Sequence, residues 1–220
     1  MKYTTDYNYT SREDKMFYVY KKYKSILDGK KFIDIGADRG YLRQYLPDTS
    51  SYTNIGFDPN ILKEWNLENI PYPFENTQFD TVLCLDVLEH LENIHSAFDE
   101  CLRLAKEHVV ISLPNAYQDF WNFLKKGKYK GRASDMKFYG LPQERPDDRH
   151  RWFLGPEEAY HFIAYRAQLA GFTIEQFDYK TARTSIFEKM IFKYFFSPQF
   201  KPSLLTSGTL WFVLERNRHD

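Results

Sequence analysis

The chain has 220 residues, and its 30 basic residues balance its 30 acidic ones, so no overall field draws it to nucleic acid or an anionic membrane and any such attraction has to be local. Aromatic side chains make up 18% of the residues, which excludes disorder, and the length suits one α/β domain with little room for a second core, so residues 1–220 read as a single domain with insertions. Two cysteines, Cys84 and Cys101, make no disulfide framework, the start MKYTTDYNYT lacks a signal-like apolar run, and SLLTSGTLWFVL is too short to span a bilayer, so a soluble, reduced, cytoplasmic protein is expected.

Met16, Tyr20, Tyr23 and Leu27 repeat at helical spacing from Arg12 to an Asp28-Gly29 stop, which predicts a helix within an N-terminal segment of residues 1–30. From Lys31, KFIDIGADRGYLRQYLP reads as strand, glycine-rich turn and a helix over Tyr41, Leu42, Tyr45 and Leu46 that Pro47 ends. YTNIGFDPN gives a second strand ending in Asp58-Pro59, and FDTVLCLD has the apolar run of a strand buried on both faces. Leu88, Leu91, Ile94, Phe98 and Leu102 predict one helix with His95 partly buried on its apolar stripe, and HVVISLPN is the next buried strand. Residues 116–153, charged and without a clean period, are expected to form an irregular lid insertion. Gly155-Pro156-Glu157-Glu158 opens a helix that stops at Gly171. FTIEQFDY and GTLWFVLER are the last strands, separated by a second, aromatic insertion over residues 180–207. Strands alternating with helices imply a doubly wound, Rossmann-like, mostly parallel sheet with right-handed crossovers.

Ligands of such sheets bind outside the carboxyl ends of the strands, where the strand order reverses. Asp34, Gly36, Ala37 and Gly40 occupy that place after the first strand. The glycines let the backbone approach a ligand, and amides at the start of the next helix favour a negative group. Asp58 ends the second strand, where a carboxylate accepts both hydroxyls of an adenosine ribose. Together they indicate an adenosine-bearing cofactor, and GxxxG in place of GxGxxG speaks against a nicotinamide dinucleotide.

FIDIGADRG, GFDPN and YPFENTQFDTVLCLDVLEHLEN, in that order, strongly resemble the class I S-adenosylmethionine-dependent methyltransferase family, especially its small-molecule, biosynthetic, type 11-like branch. The resemblance spans Lys31 to Asn115 and resumes more weakly from His150 to Tyr179. It implies a seven-stranded sheet with the last strand antiparallel, and S-adenosylmethionine as cofactor. By the same resemblance Asp34, Gly36, Ala37 and Gly40 hold the methionine part, Asp58 with Pro59 the ribose, and Glu68 and Asn69 the adenine, while Cys84, Leu85 and Asp86 lie beside the sulfonium. Asp38 departs from the family, which has a glycine there. Its carboxylate would repel that of the methionine, so it is expected to point outward.

Methyl transfer is an in-line displacement whose rate comes mostly from alignment, and only a hydroxyl or ammonium acceptor needs a base. His150, just ahead of the GPEE helix where the resembled family often carries a histidine, is the first candidate; a solvated histidine in a charged loop is the plain alternative. His90, off the apolar stripe, is the second. The histidines are dispersed, with no CxxC and no HxxxH on a helix, so no metal site is expected. FWNFLKKGKYKGR, Phe120 to Arg132, holds five bases, four aromatics and no acid. It reads as a lid over the acceptor, with an anionic substrate or single-stranded RNA as the alternative. Ile186, Phe187, Met190, Ile191, Tyr194 and Phe195 fall on one helical stripe, expected to pack into the core or form a homodimer face and not to meet a membrane. The expected function is S-adenosylmethionine-dependent methyl transfer to a hydroxyl or amine of a small biosynthetic metabolite, such as a sugar or phosphorylated intermediate. The alternatives are an RNA or protein methyltransferase and an inactive, cofactor-binding partner subunit.

Overall fold

The computed structural model describes residues 2–37, 39–56, 63–126, 139, 149–181, 183–198 and 201–217. Helix α1 (Arg12–Leu27) opens with a capping box: the Ser11 hydroxyl accepts from the Asp14 amide, and the Asp14 carboxylate accepts from the Ser11 amide. Its limits are those the periodicity predicts. Its buried face, however, holds Lys15, Tyr18, Val19, Lys22, Tyr23 and Ile26, one step round from Met16 and Tyr20. Two lysines occupy that face because each meets a carboxylate, Asp86 for Lys15 and Asp178 for Lys22. An apolar pattern does not register such pairs.

The sheet contains β1 (Lys31–Ile35), β2 (Ser51–Gly56), the two-residue β3 (Lys63–Glu64), β4 (Phe79–Leu85), β5 (Ala105–Leu113), β6 (Phe172–Thr181) and β7 (Ser207–Arg216), in the order β3-β2-β1-β4-β5-β7-β6. The strands from β3 to β5 pair in parallel, and β7 runs antiparallel to both β5 and β6. The order reverses between β1 and β4, so their carboxyl ends flank the switch point.

Side chains alternate across the sheet. Ile33 and Ile35 join the layer containing α2 (Ile94–Leu104) and α4 (Pro156–Leu169), whereas Phe32 joins Tyr23, Leu27 and Trp211 beneath α1. Each such burial contributes about 1.5–3 kcal/mol, which holds a helical layer on both faces.

Five expectations are corrected. Tyr41–Tyr45 is a single 3-10 helix, because Gly40, in left-handed backbone, and Pro47 bracket little more than one turn. The helix expected over Leu88 to Leu102 is divided into a 3-10 turn, Leu88–His90, and α2. The Arg151 amide donates to the Glu89 carbonyl at 2.8 Å, Arg151 Nε to the His90 carbonyl at 2.9 Å, and Trp152 Nε1 to the Leu91 carbonyl at 2.7 Å. Three successive carbonyls that would propagate a helix are thus taken from outside it. His95 then lies exposed, its ring against Trp152 and Phe162.

The first part of the expected irregular insertion is helix α3 (Ala116–Lys126), with Asn115 Oδ1 accepting from the Tyr117 amide at 3.1 Å. Gly155, ahead of α4, faces the Tyr117 ring so closely that a Cβ would stand 2.5 Å from it. Helix α5 (Ile186–Phe195) turns Phe192 and Glu188 toward Trp121 of α3. Ile186, Phe187, Met190, Tyr194 and Phe195 are left exposed, which overturns packing of that stripe into the core. The short α6 (Ser203–Thr206) leads into β7. Among the described residues no helix is long and apolar enough to cross a membrane.

Candidate active site

A cavity of about 480 Å³ opens at the carboxyl ends of β1 and β4. The first strand supplies Asp34 and the Gly36-Ala37 turn. Gly36 has φ 73°, and a Cβ there would meet Val87 Cγ2 at 2.4 Å, so the turn closes against the segment after β4 only with glycine. Asp34 is buried, and the Tyr52 hydroxyl donates to its Oδ2 at 3.3 Å. Burial pushes its carboxyl up to about 7, and the Tyr52 bond offsets only part of that.

The end of β4 supplies Leu85 and Asp86. Asp86 sits in left-handed backbone at φ 53°, a conformation that costs an aspartate on the order of 1 kcal/mol. Its amide donates to the Ser112 carbonyl at 3.0 Å, its Oδ1 accepts from the Ser112 hydroxyl at 2.6 Å, and its Oδ2 pairs with the Lys15 ammonium. Partial desolvation would raise this carboxyl. The charge of Lys15, with the bonds from Lys15 and Ser112, outweighs it and holds the group below the usual carboxylate range.

Beyond Asp86, Glu89, His90 and His150 line the same cavity. The clamp of residues 151 and 152 on residues 89 to 91 brings the two imidazoles together, ring centroids 4.6 Å apart and planes at 84°. Glu89 Oε1 lies 3.8 Å from His90 Nε2 and 4.0 Å from His150 Nε2, and Glu89 is 1% exposed. Nδ1 of His150 lies 2.9 Å from the Tyr139 hydroxyl. The dispersal of the histidines in sequence therefore does not persist in space: three metal-ligating groups stand with their donor atoms within 4.8 Å of one another. Four carboxylates line the cavity (Asp34, Asp86, Glu89 and Asp119) against two permanent cations, Arg12 and Lys15. That surplus suits a cationic ligand.

Several other residues of the expected site stand apart. Gly40 lies in left-handed backbone ahead of the 3-10 helix, outside the cavity lining. Cys84 is wholly buried beside Cys101, and their mutual hydrogen bond together with burial raises its thiol pKa. The Glu68 carboxylate accepts from the amides of Glu92 and Asn93, and the Asn69 carbonyl from Trp65 Nε1; neither residue lines the cavity. Asp38, Asp58 and Pro59 lie outside the described residues. Arg12 and Lys15 of α1, and Asn115, Gln118 and Asp119 around the start of α3, line the cavity without having been singled out in the sequence. The one usable signal was Pro114-Asn115, a helix start directly after a buried strand.

The model of a protein family described as "Methyltransferase domain" matches residues 12–176. No curated protein matches the sequence. Among solved structures the chain is similar to magnesium protoporphyrin IX methyltransferase (ChlM) from Synechocystis PCC 6803 with bound SAH, at 15% identity and TM-score 0.53 over 93% of this chain and 83% of that one. It is similar to an S-adenosylmethionine-dependent methyltransferase from Mesorhizobium loti, at 13% identity and TM-score 0.51 over 87% and 93%. It is also similar to the [4+2]-cyclase SpnF, at 12% identity and TM-score 0.58 over 99% and 87%. At these identities the likeness is one of fold, and a fold does not fix a reaction.

Proposed function

The chain belongs to the methyltransferase-domain family, and on that premise we propose that it transfers the methyl group of S-adenosylmethionine to a hydroxyl or amine of a small biosynthetic metabolite, such as a sugar or a phosphorylated intermediate. The observation that carries the reading is the cavity itself: Asp34 and Asp86 stand at the switch point between β1 and β4, and Glu89, His90 and His150 stand beyond them. The cofactor carries a sulfonium and an ammonium, which the carboxylate surplus suits, and when bound it supplies a methyl group open to in-line attack.

In this reading Asp34 and the backbone from Gly36 and Ala37 to Gly40 hold the amino-acid part. Asp58 with Pro59 holds the ribose, and Leu85 and Asp86 border the sulfonium, whereas Glu68, Asn69 and Cys84, which do not line the cavity, are left without a role at the cofactor. Lys15 keeps Asp86 ionised there. The acceptor's nucleophile stands against Glu89, His90 and His150. A hydroxyl acceptor loses its proton at this cluster, where His150 is the first catalytic residue and His90 the second. Helix α3, whose Gln118 and Asp119 line the cavity, begins the lid over the acceptor. The exposed face of α5 serves a homodimer, and the buried free thiols Cys84 and Cys101 suit a reducing cytoplasm. Lys125 is already paired with Glu188 at 2.8 Å, which weighs against the basic run as an RNA grip.

Calorimetry with S-adenosylmethionine and its demethylated product tests the reading. Low-micromolar binding, roughly −8 kcal/mol, is expected. No heat and no thermal shift with either ligand, on folded protein, would sink it. Cell extracts incubated with methyl-labelled cofactor then identify the acceptor class.

A further inference from the structure

We propose that Glu89, His90 and His150 form a binding site for one first-row divalent cation, Zn²⁺ or a close relative, at the acceptor end of the cavity. The inference rests on the reading of this cavity as the place of methyl transfer, and adds the means by which a hydroxyl acceptor is made nucleophilic.

The geometry carries it. Metal–nitrogen and metal–oxygen distances of about 2.0–2.2 Å set two donors on one ion about 3.4 Å apart at a tetrahedral angle and about 4.2 Å apart in line. Glu89 Oε1 is 3.8 Å from His90 Nε2 and 4.0 Å from His150 Nε2, between those two spacings. The three groups as a set offer ligand atoms within 4.8 Å of one another, so gathering them on one ion needs closure on the order of an ångström.

The surroundings hold the donors as a metal site requires. Nδ1 of His150 lies 2.9 Å from the Tyr139 hydroxyl, and an outer partner of this kind commonly sets the tautomer of a ligating histidine, the donating Nδ1 leaving the lone pair on Nε2 for the metal. Glu89 and His90 are held through their carbonyls by Arg151, whose own position follows His150 in the chain. One carboxylate and two imidazoles suit a borderline cation better than Mg²⁺ or Ca²⁺, which take oxygen donors. Among the described residues three protein ligands are supplied, and three with an open position toward the cavity is the pattern of a catalytic site.

An acceptor hydroxyl entering that position would lose its proton to solvent at a pH near neutral. Its oxygen would then form the new bond to the methyl carbon as the bond from that carbon to sulfur breaks, the electron pair leaving on sulfur.

The test uses the whole chain, stripped with chelator and dialysed, titrated with Zn²⁺ by calorimetry and with Co²⁺ by visible absorption. One equivalent is expected to bind in the micromolar range or tighter, with a tetrahedral or five-coordinate Co²⁺ spectrum. H90A, H150A and E89Q should each weaken binding by more than about tenfold. Y139F, a change to a positioning residue, should weaken it about tenfold. Affinity for S-adenosylmethionine should be unchanged in H90A, H150A and Y139F. The proposal is overturned if neither ion binds the wild-type chain below about 1 mM, or if the same equivalent binds the H90A/H150A double variant while that variant remains folded by circular dichroism. Loss of cofactor binding in the wild-type chain would instead strike the methyl-transfer reading, with metal stoichiometry still measurable.

Discussion

Arg151 and Glu89, far apart in sequence, are joined by one backbone hydrogen bond of 2.8 Å, from the Arg151 amide to the Glu89 carbonyl. The Arg151 guanidinium extends the clamp to the His90 carbonyl at 2.9 Å and the Glu92 carboxylate at 2.6 Å. This contact sets the distance between His90 and His150. Arg151→Ala should lower kcat about tenfold with the cofactor Kd unchanged, since misplacement of catalytic groups by an ångström is costly. The exposed ion pair with Glu92 adds little to stability, so thermal unfolding should move by only a few degrees. Steady-state kinetics beside cofactor titration check the split.

Asp34 should make both stability and cofactor affinity depend on pH. Its folded pKa of about 7 lies above the unfolded value of about 3.9. The folded state therefore holds a proton that the unfolded chain has already released. This contribution is fully present below about pH 4 and is lost as pH rises through 7, in total on the order of 4 kcal/mol. A bound ammonium favours the carboxylate, so the cofactor should bind tighter above pH 7 and weaken up to tenfold per unit below it. Asp34→Asn should flatten both slopes. Urea unfolding and calorimetry between about pH 5 and 9 measure them.

His150→Ala and His90→Ala should each lower kcat by roughly 10² to 10⁴ while the cofactor binds as before, the usual scale for groups that assist proton loss. If both variants keep near-normal kcat from about pH 6 to 9, alignment alone drives the reaction and the acceptor is an amine.

The ion pair between Lys22 and Asp178 is buried, with side chains 0% and 3% exposed. Tyr7 and Gln176 also donate to Asp178, and the Lys22 ammonium lies 5.4 Å from the centre of the Trp211 ring. Lys22→Ala should cost about 3–5 kcal/mol because it strands a buried carboxylate. Lys22→Met combined with Asp178→Asn, which keeps one carbonyl acceptor but sets an amide nitrogen in place of the other oxygen, should recover part of that loss. Denaturant midpoints of the two variants decide.

The sequence by itself determined the limits of α1, through the helical spacing of Met16, Tyr20, Tyr23 and Leu27 and the Asp28-Gly29 stop. It also determined the buried strands β1, β4 and β5, and the placing of Asp34, Gly36, Leu85 and Asp86 at the ends of β1 and β4. These features follow from local rules, because alternation across a sheet, apolar spacing along a helix and a glycine turn each involve neighbours in the chain. The tertiary structure alone decided the break between Leu88–His90 and α2, the inward turn of Lys15 and Lys22, the outward apolar face of α5, and the meeting of Glu89, His90 and His150. Each of these depends on a partner far along the chain. Arg151 takes carbonyls that a helix would have used, Asp86 and Asp178 neutralise lysines that apolar periodicity would keep in water, and Trp121 selects which side of α5 is buried. A hydrogen bond or ion pair formed between distant segments leaves no period in the sequence. The chemistry of the site was therefore legible where it sits on strand ends and became visible only in space where two segments meet.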